Sequence, residues 1–518
     1  MPDGRARHLA AACEASCLAL GVKRLDLYQL HAPDSRTPLA TSVRALAALR
    51  REGLVDRIGL CNVTVGQIEE ARRIVDIDSV QTEVSVWRDD GFLSGVVEHC
   101  VANGIRVLAY RPLGGAQRAR RLASDALLSE IAGRHGAAAA DVALAWLMDL
   151  SDLIVPLPGP TRAETARTLG RGLRIALTDR DREQLDGKLP AAGAFRASRR
   201  GSPPIPAARA AVGDGELVLI MGLPAAGKST LARTFVERGY TRINRDEAGG
   251  SLRGLLPAID ELAAADRPRI VLDNTYVSRK SRAAVVQAAA RAGLRIRCVW
   301  LTTSVEDAQV NAASRMLAKY GRLLEPDEIE RTMKQDVNAY GPAVQFRYQK
   351  ELEPPVAEEG FASIETVAFE RRQDPASTNR AVMVWCDGVL TRDRTLADVV
   401  LEYGPVLRRY AADGWRLLGL GWQPDVNGDL AAAARIDAAY ARMSEQLGVA
   451  LEVQYCPHPA GPPVCWCRKP LPGLGVAFIR KHGLDPSRCL YVGSGTQDPG
   501  FARRLGFQYR DAATFLVP

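Results

Sequence analysis

Residues 216–230 read ELVLIMGLPAAGKST. An apolar run from Leu217 to Ile220 leads into Gly222-x-x-x-x-Gly227-Lys228-Ser229, and a helical pattern follows from Leu231. Glycines at this spacing let backbone N–H groups curl around an anion at a helix N-terminus. A lysine and a hydroxyl closing the loop are the groups that reach β/γ-phosphates and hold Mg²⁺. An ordinary Gly-rich turn would not combine the strand, the spacing, the lysine and the serine. The segment predicts bound ATP and Mg²⁺, with Gly222, Gly227, Lys228, Ser229 and Thr230 at the phosphates and Ser229 on the metal.

Further acids stand where such chemistry needs them. Tyr240–Asp246 (YTRINRD) reads as a short strand ending in an acid, from which Asp246 can face the γ-phosphate. Arg269–Thr275 (RIVLDNT) reads as a second strand, ending in Asp273, and Arg295–Thr302 as a third, followed by a helix carrying Asn311 and Arg315. Phosphoryl transfer needs a base for the acceptor hydroxyl, a lysine and a metal for the phosphates, and a cation over the transferring group. Other readings stay open: Asp246 as a cap of the following helix, Asp273 as a strand-end residue or an acid near Mg²⁺, and Arg315 as a solvated helix arginine.

With Ser281-Arg282 and the segment FRYQKELEPPVAEEGFASIETVAF (346–369), these pieces resemble the kinase domain of polynucleotide kinase/phosphatase enzymes over residues 215–370. The resemblance implies ATP-dependent phosphorylation of polynucleotide 5′-hydroxyl ends, DNA or RNA. It makes Asp246 the general base, Lys228 and Arg315 the catalytic cations, and Arg253 a substrate-phosphate arginine. The lid (NAASRMLAKYGR) departs from the family's Asn/Arg-rich version. A small-molecule or toxin-type P-loop kinase is the competing reading.

The first 189 residues resemble the later part of an aldo-keto reductase, through LDLYQLHAPD (25–34), IGLCN (58–62), VQTEVSVW (80–87), VLAYRPLGG (107–115) and VPLPGPTR (155–162). That family folds as a (β/α)₈ barrel with its site at the carboxyl ends of the strands. The resemblance makes His31 the catalytic-site histidine, puts Asn62 and Gln81 on the nicotinamide amide and Tyr110 on its ring, and sets the turn ending at Arg162 against the 2′-phosphate of NADP. The family's Asp, Tyr and Lys partners lie upstream of the histidine. Only thirty residues precede His31 here, so about three barrel strands are expected to be missing, leaving open sheet edges. Without a positioned acid, hydride transfer is expected to be slow. Oxidoreductase activity is therefore doubtful, with the chain start misassigned or the domain a relic; His31 could equally be a core histidine.

Residues 381–518 resemble the haloacid dehalogenase superfamily, in the branch of histidinol-phosphate and heptose-bisphosphate phosphatases. The matching residues are Cys386-Asp387-Gly388, Gly421-Trp-Gln-Pro424, Cys467-Arg-Lys469-Pro470 and Val492-Gly493 through Asp498. The position of that family's nucleophilic Asp holds Trp385, its phosphate-binding hydroxyl is replaced by Gly421, and a metal-binding Asp by Ser494. An indole cannot form an aspartyl-phosphate, so a pseudophosphatase is expected. Cys456-Pro-His458 and Cys465-Trp-Cys467 make a Cys₃His set suited to structural Zn²⁺, and the same branch carries a zinc loop of this spacing. The alternative is three buried thiols beside a surface histidine.

The elements that must position these groups follow from composition and punctuation. At 518 residues the chain has room for about three domains. It is 47% hydrophobic and 25% charged, as ordinary globular proteins are. Strands alternating with amphipathic helices predict a multidomain α/β fold: a partial (β/α)₈ barrel (1–189), a doubly wound P-loop NTPase sheet (215–372) and a HAD-like Rossmannoid domain (381–518). Residues 190–214, rich in Ala, Gly, Pro, Ser and Arg, read as a flexible linker, and a polar run from Arg371 to Arg380 as a second joint. No apolar run approaches the roughly 20 residues of a membrane span. The N-terminus, with Arg5, Arg7 and Glu14, reads as an amphipathic helix and not a signal peptide, so a cytoplasmic location is expected. The net charge of +8 is weak evidence for nucleic acid, because charges nearly cancel within 215–372. Two other functions stay open: an NADP-dependent aldo-keto reductase fused to a kinase, and a regulator that senses a nucleotide without transferring phosphate.

Overall fold

The computed structural model describes residues 2–34, 36–160, 163, 166, 174–199, 215–392, 396–461 and 464–516. Three five-stranded sheets follow one another along the chain, and every strand pair in them is parallel. Parallel pairing requires a crossover after each strand, and helices supply it.

The N-terminal sheet runs in chain order: β1 (Leu25–Leu30), β2 (Val55–Cys61), β3 (Ser79–Glu83), β4 (Arg106–Tyr110) and β5 (Ile154–Leu157). Such an order is that of a segment of a (β/α)₈ barrel. Helices Ala6–Leu20, Leu39–Arg51 and Ala139–Leu150 cover it, with Leu46 and Trp146 fully buried. Its outer strands leave Leu27, Val155 and Leu157 exposed. The expected linker begins instead as a helix, Pro190–Arg199. Ala192 and Phe195 enter the N-terminal core, and Arg196 pairs with Asp149 and Asp186. Alternating small and charged residues hid an amphipathic face there; residues 200–214 lie outside the described residues.

The central sheet has the order β10-β9-β6-β8-β7, formed by β6 (Glu216–Met221), β7 (Thr241–Ile243), β8 (Arg269–Asp273), β9 (Arg295–Leu301) and β10 (Ser363–Val367). β6 is the middle strand and is apolar throughout its buried length, as a strand covered on both faces must be. Its neighbours, β8 and β9, lie on opposite sides, so connections diverge at its carboxyl end and open a crevice. The glycine loop leaves β6 at that point.

The C-terminal sheet, β13-β12-β11-β14-β15, has the same plan: β11 (Ala381–Trp385), β12 (Arg416–Trp422), β13 (Glu452–Cys456), β14 (Leu490–Gly493) and β15 (Gln508–Asp511), with β11 in the middle. Helix Val305–Tyr320 joins this region to the central one: its Val310 and Ala313 share a core with Phe478 and Phe501. Between the first two regions, Asp90 receives Arg253 (2.9 Å) and Lys280 (3.1 Å). Among the described residues, no helix is long and apolar enough to cross a membrane.

Candidate functional site

The glycine loop bends as its sequence requires. Gly227 (φ 96°) stands in the left-handed region that favours glycine, and a Cβ at Gly222 would meet the Leu301 carbonyl at 3.1 Å. Three side chains brace the loop from outside. Gln345 donates to the Pro224 carbonyl (3.1 Å), Asn311 to Ala225 (3.0 Å) and Thr303 to Ala226 (2.8 Å). Carbonyls turned outward leave amide N–H groups to the inside, the geometry of an anion nest. Helix Lys228–Val236 starts at the loop and directs its N-terminus to the same place. The Lys228 ammonium is buried and donates to the carbonyls of Gly222 (3.1 Å) and Leu223 (2.7 Å). Burial pushes its pKa down to about 8, against the fields of Asp273 and Asp246, which oppose the shift.

Ser229, Thr230, Asp246, Asp273 and Arg315 line one cleft with Lys228, of about 1320 Å³. The carboxylate expected at a strand end is placed differently: β7 stops at Ile243, and Asp246 lies in the short helix Arg245–Ala248. Asn244 caps that helix by accepting the Asp246 N–H at 2.8 Å. The capping role open to the Asp246 side chain thus belongs to Asn244. The Asp246 carboxylate meets Arg245 at 3.0 Å and keeps 35% of its side chain exposed. Asp273 ends β8 at 1% exposure, clamped by Arg242 at 2.5 Å. Arg315 is positioned rather than merely solvated: it donates to the Asn338 carbonyl (3.3 Å) and lies over the Tyr340 ring, 5.6 Å from its centre. Arg253 does not line the cleft. Its guanidinium goes to Asp90, a partner supplied by the N-terminal region and invisible in local sequence. Asn244 could have been read as a cap from its residue type; Gln345, more than 120 residues from the loop it braces, gave no local signal.

The Cys₃His set also assembles. The ligand atoms of Cys456, His458, Cys465 and Cys467 lie within 4.8 Å of one another. Cys456 Sγ is 3.8 Å from Cys465 Sγ and 3.3 Å from Cys467 Sγ, and His458 Nδ1 is 3.1 Å from Cys467 Sγ. Tetrahedral bonds of about 2.0–2.3 Å would set ligands about 3.5–3.8 Å apart; the separations here spread around that range, and three thiols with one imidazole are a donor set of the kind that takes a tetrahedral metal ion. His458 Nε2 faces Glu325 Oε2 at 2.7 Å, the orienting contact usual for a ligating imidazole.

In the C-terminal region the corresponding side chains contact one another. Lys469 pairs with Asp498 and stands 3.6 Å above the Trp385 ring. Asp387 accepts the Trp422 N–H at 2.6 Å. A Cβ at Gly421 would lie 2.0 Å from the Tyr440 hydroxyl, which leaves no room for a serine or threonine there. The Ser494 hydroxyl faces the Gly388 carbonyl at 3.4 Å.

At the carboxyl edge of the N-terminal sheet, the expected residues stand side by side. Asn62 donates to the His31 carbonyl (3.1 Å), its backbone N–H to the Gln81 carbonyl (3.0 Å), and it accepts from the Tyr110 hydroxyl (3.2 Å). His31 is exposed and not a core histidine. Arg162 lies outside the described residues.

Comparison with known proteins bears on the first two regions. Residues 1–190 match the aldo/keto reductase family, and residues 250–337 match a family described as AAA domain. The chain carries an aldo/keto reductase domain and a P-loop kinase-like domain. An uncharacterized oxidoreductase of Schizosaccharomyces pombe, C215.11c, is 29% identical over 163 residues, covering 32% of this chain and 52% of that protein. This chain thus spans about half the length of the curated relative it matches. Among solved structures, a thermostable aldo-keto reductase, Tm1743, in complex with the inhibitor epalrestat, is 29% identical over 36% of this chain and 67% of that one, with a TM-score of 0.33. The aldose reductase of Giardia lamblia is 25% identical over 36% of this chain and 70% of its own, also with a TM-score of 0.33. The doubt expected over the oxidoreductase assignment is corrected by the family match, which runs over residues 1–190.

Proposed function

We propose that the protein is an ATP-dependent kinase that phosphorylates 5′-hydroxyl ends of polynucleotides. One observation carries this reading: an exposed carboxylate, Asp246, relieved of capping by Asn244, opens into the cleft that holds Lys228 and Ser229. Asp246 takes the proton of the acceptor hydroxyl as its oxygen attacks the γ-phosphorus and the bond to the ADP oxygen breaks. Lys228 and Arg315 face the charge on the transferring group. Ser229 would hold Mg²⁺, which would supply neutralising charge for the phosphates. The test of acceptor class is γ-labelled ATP offered to 5′-hydroxyl DNA and RNA oligonucleotides, nucleosides and sugars. Label is expected on oligonucleotide 5′ ends; label on a sugar or nucleoside alone would replace this reading with a small-molecule kinase, and no label anywhere with a nucleotide sensor.

The N-terminal domain is proposed to bind NADP(H) across His31, Asn62, Gln81 and Tyr110, which the hydrogen bonds around Asn62 support. The C-terminal region is proposed to be HAD-like and not to hydrolyse phosphate, supported by its strand order and by Trp385 and Tyr440 standing in the crevice. The Cys₃His set is proposed to hold structural Zn²⁺. A cytoplasmic location remains part of this proposal.

A further inference from the structure

A loop of the C-terminal region reaches the wall of the nucleotide cleft. Cys465 and Cys467 bracket Trp466, which is 1% exposed and packs in one core with Met316, Ile329 and Tyr340 of the central region. Its indole N–H donates to the Tyr340 carbonyl at 2.9 Å. Tyr340 lines the cleft, lies under Arg315, and has its hydroxyl 3.4 Å from Gln345 Nε2, the amide that braces Pro224 of the glycine loop. On the other side of the cluster, His458 meets Glu325, the residue that opens helix Pro326–Thr332 of the central region. The cleft wall at Arg371 is tied to the same partner: Arg371 pairs with Asp307 (2.6 Å) and donates to the Arg504 carbonyl (2.8 Å).

We infer that the Cys₃His cluster is a clasp between the C-terminal region and the kinase-like domain, and that its metal sets the nucleotide affinity of the central cleft. Ligation of Cys465 and Cys467 fixes the backbone on both sides of Trp466, and so fixes the support beneath Tyr340 and Arg315. Ligation through Nδ1 fixes the imidazole that Glu325 grips. Without metal, three thiols and an imidazole no longer hold that loop in one conformation, and the wall loses its backing. The inference rests on the reading of the central cleft as a nucleotide site.

The test uses the full chain purified without chelator, with zinc measured by elemental analysis and affinity by titration of a fluorescent ATP analogue. About one zinc per chain is expected. Its removal should weaken nucleotide binding about tenfold, and added Zn²⁺ should restore it. Trp466→Phe keeps an aromatic side chain but loses the indole N–H bond and part of the buried volume; it should retain zinc and bind about fivefold more weakly. Arg480→Ala removes another contact between the same two regions, to Ser314, and should bind as the parent does. If zinc-free protein unfolds, Trp466→Phe and Glu325→Gln decide the matter with metal in place. Unchanged affinity in those variants, or protein without zinc, would overturn the clasp alone. A zinc-loaded chain that binds no nucleotide would overturn the reading beneath it.

Discussion

The central and C-terminal crevices are built alike and differ in what occupies them. Each opens at the carboxyl end of the middle strand of a five-stranded parallel sheet, and each is lined by acids and a lysine. In the central cleft, Lys228 donates to backbone carbonyls, which a phosphate oxygen can replace, and Asp246, with Arg245 beside it, keeps 35% of its side chain exposed along the cleft. In the C-terminal crevice, Lys469 is committed to Asp498 and to the Trp385 ring, and Asp387 to the Trp422 amide. Residues of the same types are thus tied to neighbouring side chains in one crevice and to backbone carbonyls in the other. Asp387, Lys469 and Asp498 are held by neighbouring side chains and a backbone amide, whereas in the central cleft Asp246 stays exposed beside Lys228.

The largest effect that would break this contrast is at Lys228. Lys228→Ala should lower phosphate transfer by about 10³-fold or more, since the ammonium meets the charge that develops on the phosphates; a steady-state assay with labelled ATP checks it, and near-parent rates would erase the distinction between the two lysines. A smaller effect sharpens it. With its pKa lowered from 10.5 to about 8, Lys228 sheds its proton first in the folded state, so between about pH 8 and 10.5 the unfolded chain binds more protons. Nucleotide-free stability therefore carries the burial penalty below pH 8 and gains as pH rises through that window. Nucleotide affinity runs the other way, because it needs the ammonium: titrations should show it falling about tenfold per pH unit above 8, and a flat profile to pH 10 would contradict the burial argument. The smallest effect is at Trp385. Trp385→Asp restores a carboxylate but not the space held by the Tyr440 hydroxyl, so hydrolysis of p-nitrophenyl phosphate should stay at background. Turnover that vanishes on adding Asp387→Ala would show that the crevice is less closed than its contacts imply.

The two crevices also differ in how far sequence reveals them. Glycine spacing, the lysine and the serine carry a backbone requirement, so the loop at 222–229 is legible at once, and Cys₃His spacing carries a ligand geometry. In the C-terminal region, Trp385, Gly421 and Ser494 were singled out by residue type. The side chain that crowds Gly421 was not, because Tyr440 reaches it from the following helix, Leu430–Leu447, only once that helix packs on the sheet. The same limit hid Asp90 as the partner of Arg253 and Gln345 as the brace of Pro224: contacts between residues far apart in the chain leave no periodicity in either partner. The helix at Pro190–Arg199 was missed because Ala, Gly and Arg read as linker until a core is there to bury Phe195.

The central claim is that Asp246 activates an incoming hydroxyl beside a cradled triphosphate. The most direct measurement compares Asp246→Ala with the parent chain for label transfer from ATP to a 5′-hydroxyl oligonucleotide, alongside nucleotide binding. Transfer should fall by about 10²–10⁴-fold while binding stays within about twofold. Undiminished transfer by the variant would contradict the account.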